Sequence, residues 1–171
     1  LFISIESRGG VFYFQQRIGF KGNPFSLFKF RTMTKNADKS GKLTVGMKDA
    51  RITRTGYFIR KYKLDEFPQF INVLIGQMSI VGPRPEVKEY VDLYNDEQRK
   101  ILNVKPGITD YASIEYFNEN ELLGNSSDPQ KTYIEEIMPA KIALNMKYIH
   151  KPTLGQDFKI MGMTFLKIIH R

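Results

Sequence analysis

The chain has 171 residues with 26 Lys and Arg against 18 Asp and Glu, and its formal net charge of +8 points to anionic partners: phosphates, nucleic acid or an acidic membrane face. It has no cysteine and only His150 and His170, which excludes a disulfide framework, a thiolate or histidine-rich metal site and a cysteine nucleophile, so any metal would be a hard cation held by oxygen. A globule of this length can bury roughly 70% of the surface its unfolded chain exposes, so one domain over residues 1–171 is expected without covalent staples.

The sequence opens on Leu1-Phe2 rather than Met, and reads as part of a longer chain whose upstream residues could hold an anchor. Val11–Ile18 and Phe25–Arg31 are aromatic, β-prone runs separated by the turn composition Lys21-Gly22-Asn23-Pro24, which predicts an antiparallel hairpin. Strand alternation puts Phe28 and Phe30 on one face and Lys29 and Arg31 on the other; outward-facing charges on a half-solvated strand explain this as readily as a site. Between Thr34 and Asp49 the chain turns polar around Lys39-Ser40-Gly41-Lys42, as in a mobile loop that could close over a ligand. A basic helix is predicted over Ile52–Lys63, and a second one from the carboxylate pair Asp65-Glu66 through Phe70, Val73 and Leu74 to Gly76, with Pro68 in its first turn.

Further on, a helical stretch from Glu86 to Asn103 stops at Lys105-Pro106-Gly107, and Ile108–Ile114 is predicted as a short strand. Asn118–Pro129 reads as a loop with a helical turn near Glu121. Gln130–His150 has a helical apolar stripe interrupted by Pro139, expected to kink or break it. In the last segment Leu154, Phe158, Met161, Phe165, Ile168 and Ile169 form an amphipathic stripe beside Lys159, Lys167 and Arg171. Core packing and a helix lying in a membrane interface account for it equally well. The longest apolar runs, such as Phe70–Ile75, fall far below the ~18 to 20 residues that cross a bilayer. The fold class expected is therefore α+β: one mostly helical domain with a small antiparallel hairpin and peripheral amphipathic helices.

The chemistry concentrates in Arg60-Lys61-Tyr62-Lys63-Leu64-Asp65-Glu66-Phe67-Pro68-Gln69 and Val81-Gly82-Pro83-Arg84-Pro85. Acidic residues at a helix start can serve merely as caps that complement the helix dipole. A cap, however, has no use for the surrounding cations Arg60, Lys63 and Arg84. Adjacent carboxylates can divide labour, one attacking phosphorus while the other holds a divalent ion. Arg84 is restricted by the prolines on either side, so its guanidinium loses less freedom on gripping a phosphate.

These residues carry a family resemblance. Phe28-Lys29-Phe30-Arg31-Thr32-Met33, Leu64-Asp65-Glu66-Phe67-Pro68-Gln69, Asn72-Val73-Leu74, Met78 through Pro85, and Lys105-Pro106-Gly107-Ile108-Thr109 follow one another as in the bacterial sugar transferases. The chain resembles that family, the monotopic polyprenyl-phosphate hexose-1-phosphate transferases, over nearly its whole length. The resemblance implies transfer of sugar-1-phosphate from a UDP sugar to undecaprenyl phosphate with release of UMP, at the start of capsule, O-antigen or glycoprotein glycan assembly. It implies Asp65 as the nucleophile of a covalent phosphosugar intermediate, Glu66 as its partner in holding Mg²⁺, and Lys29, Arg31, Arg60, Pro83 and Arg84 as donor-binding residues. It implies an upstream re-entrant membrane helix of which Leu1–Ile5 would be the remnant. The expected location is the cytoplasmic face of the bacterial inner membrane, on an anionic lipid surface, and a homodimer is compatible with it. Two departures stand out: Gly10 where many relatives have proline, and Asp110-Tyr111-Ala112-Ser113 where Gly-Trp-Ala-Gln is usual. The second leaves the donor sugar open.

Two other functions fit the composition. A nucleic-acid-binding module would use the basic charge and interleaved aromatics, but no recognition signature for RNA or DNA is present, so no nucleic-acid partner is expected. A non-enzymatic membrane-surface module would use only the terminal amphipath.

Overall fold

The computed structural model describes residues 2–7, 9–35, 37 and 49–170. Lys39-Ser40-Gly41-Lys42, the centre of the expected closing loop, and Leu1 of the expected anchor remnant lie outside the described residues. A short helix (α1, Phe2–Glu6) opens the fold, and its Glu6 carboxylate accepts from the Thr55 backbone N–H at 2.8 Å.

The expected hairpin is present. Strands β1 (Phe12–Ile18) and β2 (Pro24–Phe30) pair antiparallel with Phe12 opposite Phe30 and Phe14 opposite Phe28. Both pairs are in ring contact, with centroids 5.6 and 5.0 Å apart. Alternation holds as predicted, but the aromatic face turns outward, leaving Phe14 57% exposed. The opposite face packs Phe25 and Leu27 against Met78 and carries Arg17 and Lys29 inward with them. Asn72, fully buried, closes the other edge of β2: its Oδ1 accepts from Phe28 N at 3.0 Å, and its Nδ2 donates to Ser26 O and Gln77 Oε1, both at 2.8 Å. One side chain thus replaces a neighbouring strand and fixes β2 against the helix that bears Asn72.

The basic helix is α2 (Arg54–Lys61), capped by the Thr53 hydroxyl, which accepts from Gly56 N at 2.9 Å. Gly56 lets this helix lie on the backbone of Thr32, where a Cβ would come within 2.0 Å of the carbonyl oxygen. The following segment departs from expectation. Lys63 adopts a left-handed conformation (φ 55°), so α2 does not run on, and Leu64–Glu66 makes a separate 3₁₀ turn. Helix α3 (Gln69–Leu74) begins only after Pro68. Asp65 and Glu66 therefore sit in a tight turn between helices and not in the first turn of α3.

A parallel pair absent from the sequence reading lies beneath. Strand β3 (Ser79–Val81) pairs with β4 (Gly107–Thr109), Ser79 with Gly107 and Val81 with Thr109. The predicted helix over 86–103 is broken into α4 (Lys88–Val91) and α5 (Asp96–Arg99), because Asn95 starts a new helix with a capping box through Gln98. The stop before Gly107 is as expected. The predicted strand over 108–114 ends at Thr109, since Asp110 caps α6 (Tyr111–Glu115) through Ser113 N. The turn near Glu121 is helix α7 (Glu119–Gly124).

Helix α8 (Pro129–Thr132) continues through a π-helical turn, Tyr133–Ile137, into α9 (Met138–Ile149). Pro139 cannot donate a backbone bond, and the wider turn before it lets the helix proceed instead of breaking. The main core joins α4 to this helix through Val87, Tyr90, Val91, Tyr133, Ile137 and Ile142. Helix α10 (Leu154–Ile169) buries Ile160 against Val81 and Tyr148, but Leu154, Phe158, Phe165 and Ile169 of the sequence stripe remain exposed. Core packing therefore does not account for that stripe. The fold is α+β as expected, and no described helix is long and apolar enough to cross a membrane.

Asn72→Ala would leave the buried Phe28 N–H and Ser26 carbonyl without this partner. Unfolding by denaturant should show a loss of about 2 to 4 kcal/mol.

Candidate active site

The 3₁₀ turn, the inner face of β2 and the loop after β3 converge on a cavity of about 630 Å³. Asp65 and Glu66 line it together with Lys29, Arg60, Lys63 and Arg84, so six charged groups predicted from distant stretches meet at one wall. Pro83 and Arg31 are not brought there. Pro83 is in the loop but does not line the cavity, and its carbonyl accepts from Gly107 N at 3.0 Å. Arg31 lies on the outer side, bonded to the carbonyls of Gly10 and Phe12, each at 3.1 Å, with its guanidinium over the Tyr13 ring. Its position beyond the end of β2 removes it from the inward face that carries Lys29.

Arg84 grips Glu66 with both terminal nitrogens, Nη1 to Oε2 at 3.0 Å and Nη2 to Oε1, and Nη1 also donates to Ile108 O at 3.3 Å. Arg60 is held by Thr32, whose hydroxyl accepts from Nε at 2.8 Å. Among the described residues no hydrogen bond reaches the Asp65 carboxylate, although Asp65 is only 9% exposed. Burial would raise both carboxyls. For Asp65 burial prevails, reinforced by the charge of Glu66. For Glu66 the raising effect of burial is outweighed by Arg84 and Lys29, which bring it down to about 2. Two adjacent carboxylates thus have opposite tendencies: one favoured in its ionised form and engaged by Arg84, the other reluctant to ionise and open to the cavity.

Sequence reasoning missed the bracing behind Arg84. Arg17 Nη1 reaches Pro85 O at 3.2 Å and Glu86 Oε1 at 2.8 Å, while the Tyr133 hydroxyl donates to Glu86 Oε2. From the other side Asp110, fully buried, accepts from the Arg84 backbone N–H at 3.0 Å. The charge of Arg17 in an otherwise uncharged strand was the signal of this. Apolar side chains that line the cavity include Phe67, Phe70 of α3, and Phe165 and Ile168 of α10.

Among the described residues no three His, Asp or Glu side chains cluster as a metal cage. Mg²⁺ commonly takes one or two carboxylates, with water and substrate phosphates completing its octahedron, and the open Asp65 beside Glu66 fits that mode.

The whole chain, residues 1–171, matches the family model for bacterial sugar transferases. An "uncharacterized sugar transferase EpsL" of Bacillus subtilis strain 168 is 38% identical over 159 residues, 93% of this chain and 70% of that protein. A UDP-N-acetylgalactosamine-undecaprenyl-phosphate N-acetylgalactosaminephosphotransferase of Aeromonas hydrophila is 36% identical over 98% of this chain and 37% of its own length. A UDP-glucose:undecaprenyl-phosphate glucose-1-phosphate transferase of Escherichia coli strain K12 is 34% identical, again over 98% of this chain and 34% of its own length. The chain therefore spans about a third of the length of these last two relatives.

Burial, opposed by Glu66 and then aided by Arg84 and Arg17, lowers the Lys29 ammonium from 10.5 to about 8. A lysine lowered in the fold binds fewer protons there than in the unfolded chain, so stability should rise with pH from about 8 toward 10.5. Denaturant titrations across that window should show the rise in the wild type and a flatter profile in Lys29→Met.

Proposed function

The chain belongs to the bacterial sugar transferase family, and from that membership we propose that it transfers sugar-1-phosphate from a UDP sugar to undecaprenyl phosphate, releasing UMP. The observation that carries this reading is the pairing of an open, buried Asp65 with a Glu66 clamped by Arg84, on a cavity wall that also bears Lys29, Arg60 and Lys63. A UDP sugar would place its diphosphate among those cations. The products would feed polysaccharide assembly: capsule, exopolysaccharide, O-antigen or glycoprotein glycan.

In the first step an Asp65 carboxylate oxygen attacks the phosphorus that bears the sugar. The bond from that phosphorus to the bridging oxygen breaks, and UMP leaves with the electron pair. In the second, a phosphate oxygen of the lipid attacks the same phosphorus and frees the Asp65 carboxylate, giving a lipid diphosphate sugar. A raised basicity suits Asp65 to attack once ionised, while Glu66 keeps Arg84 in place. Mg²⁺ bound beside Asp65 and Glu66 would offset the repulsion between carboxylate and phosphate. Arg84, Lys29 and Arg60 hold the phosphoryl oxygens as charge spreads onto them.

The exposed Phe67, Phe70 and Phe165, which line the cavity that a lipid phosphate would enter, and the exposed Phe158 on the helix that bears Phe165 support seating on a lipid surface. The cytoplasmic face of the inner membrane, where UDP sugars are made, is the location this reading requires.

Asp65→Asn should lower transfer by more than about 10³-fold. With radiolabelled UDP sugar alone, quenched wild-type protein should carry phosphosugar on Asp65; label that appears only when the lipid phosphate is also present would mean direct displacement. Arg84→Ala should raise the barrier by about 2 to 4 kcal/mol, roughly a 30- to 1,000-fold loss in kcat/KM. The alkaline limb of kcat/KM should fall near pH 8, where Lys29 loses its proton, and should move upward in Lys29→Arg.

A further inference from the structure

Asp110 has no role in the transfer chemistry, yet it is 0% exposed and holds its neighbours tightly. Its Oδ1 accepts from Ser113 N at 2.5 Å, which is an ordinary helix cap. Its Oδ2 does something a cap does not require. That oxygen accepts from the backbone N–H of Arg84 at 3.0 Å and from Asn145 Nδ2 at 2.7 Å. Prolines have no N–H, so within Pro83-Arg84-Pro85 the only backbone donor is that of Arg84. The one hydrogen bond this tripeptide can donate from its main chain is spent on Asp110.

We infer that Asp110 is a positioning residue: it fixes the main chain of Arg84 against α6 and α9, so that the guanidinium meets Glu66 and the donor diphosphate in one place. This rests on the transferase reading for its catalytic consequence, not for the tether itself. The link is charge-assisted and buried, hence stiffer than a bond to a neutral carbonyl. The prolines restrict the dihedrals on either side, and the Asp110 bond supplies the remaining constraint, the placement of the loop relative to β4. Asn145 on α9 holds the carboxylate from behind, so the helix that carries part of the main core also sets the phosphate-binding arginine.

Asp110→Ser separates the two roles, because serine caps a helix well but its shorter side chain does not extend to Arg84. In the intact protein, amide exchange at Arg84 should be protected in the wild type and at least about tenfold faster in Asp110→Ser. Binding of UDP and kcat/KM for the UDP sugar should each fall about 10- to 100-fold, the range for a charged hydrogen bond. On an Arg84→Ala background the same change should cost nothing further, within about twofold. Equal losses in both backgrounds, an unprotected Arg84 amide in the wild type, or an unchanged rate in Asp110→Ser would each overturn the assignment. Should Asp110→Ser fold poorly, Asn145→Ala tests the same link, with a smaller loss that also disappears when Arg84 is absent. A wild type with a protected amide that neither binds UDP nor transfers phosphosugar would support the tether and overturn the transferase reading instead.

Discussion

The ion pair between Glu66 and Arg84 is the interaction on which the site depends. Taking both groups out of water is costly, and an apolar pair of similar volume could be as stable, so the pair is poorly explained as a stabilising device. Its effect is better seen in what it does to Asp65. Burial acts on both carboxyls of the turn, but Arg84 and Lys29 overcome it for Glu66, whereas for Asp65 burial and the charge of Glu66 prevail over the lowering effect of Lys29, Arg60 and Lys63. Without Arg84 the two groups would compete for protons on similar terms. With it they are distinct, which is what the proposed mechanism asks of a pair in which one carboxylate attacks and the other stays anionic.

Backbone constraints bring the partners together. Lys63, left-handed, ends α2 and turns Asp65 and Glu66 toward the cavity. On the other side, a Cβ on Gly107 would lie 2.2 Å from Gly82 N, so the two glycines let β3 and β4 approach until the Pro83–Pro85 loop emerges beside the end of β4. Those glycines lie 25 positions apart in motifs that read as separate in the sequence. In the fold they are one joint.

Much of this was legible because the strongest signals were chemical. Asp65, Glu66, Arg84, Lys29, Arg60 and Lys63 were all visible as charges in restricted or alternating contexts, and the structure gathers them. What stayed hidden was set by neighbours distant in sequence. Arg31 obeys the same alternation as Lys29, but it follows the last residue of β2, and its guanidinium turns back to the Gly10 and Phe12 carbonyls. The helix predicted over 86–103 has sound periodicity, yet the Asn95 cap divides it. The strand expected over 108–114 ends early because Asp110 prefers to cap α6 while accepting from a residue 26 positions away. Local propensity carries no information about that acceptor's partner.

The hairpin shows how the site shapes the fold as well as the reverse. By hydrophobicity alone, the face with Phe12, Phe14, Phe28 and Phe30 should be buried and the face with Arg17 and Lys29 exposed. The structure does the opposite on half of the sheet: Phe25 and Leu27 go inward, and the cations beside them go inward too. Strand alternation allows only two choices, and turning the strand over would bury four phenylalanines while removing Lys29 from Glu66 and Arg17 from Glu86. Glu66 would keep Arg84 but lose the nearby charge of Lys29, Glu86 would lose its ion pair with Arg17, and leaving a buried carboxylate short of cations is costly. The inward face thus combines the burial of Phe25 and Leu27 with the pairing of Arg17 to Glu86 and the approach of Lys29 to Glu66, and the outward phenylalanines are the other side of that alternation.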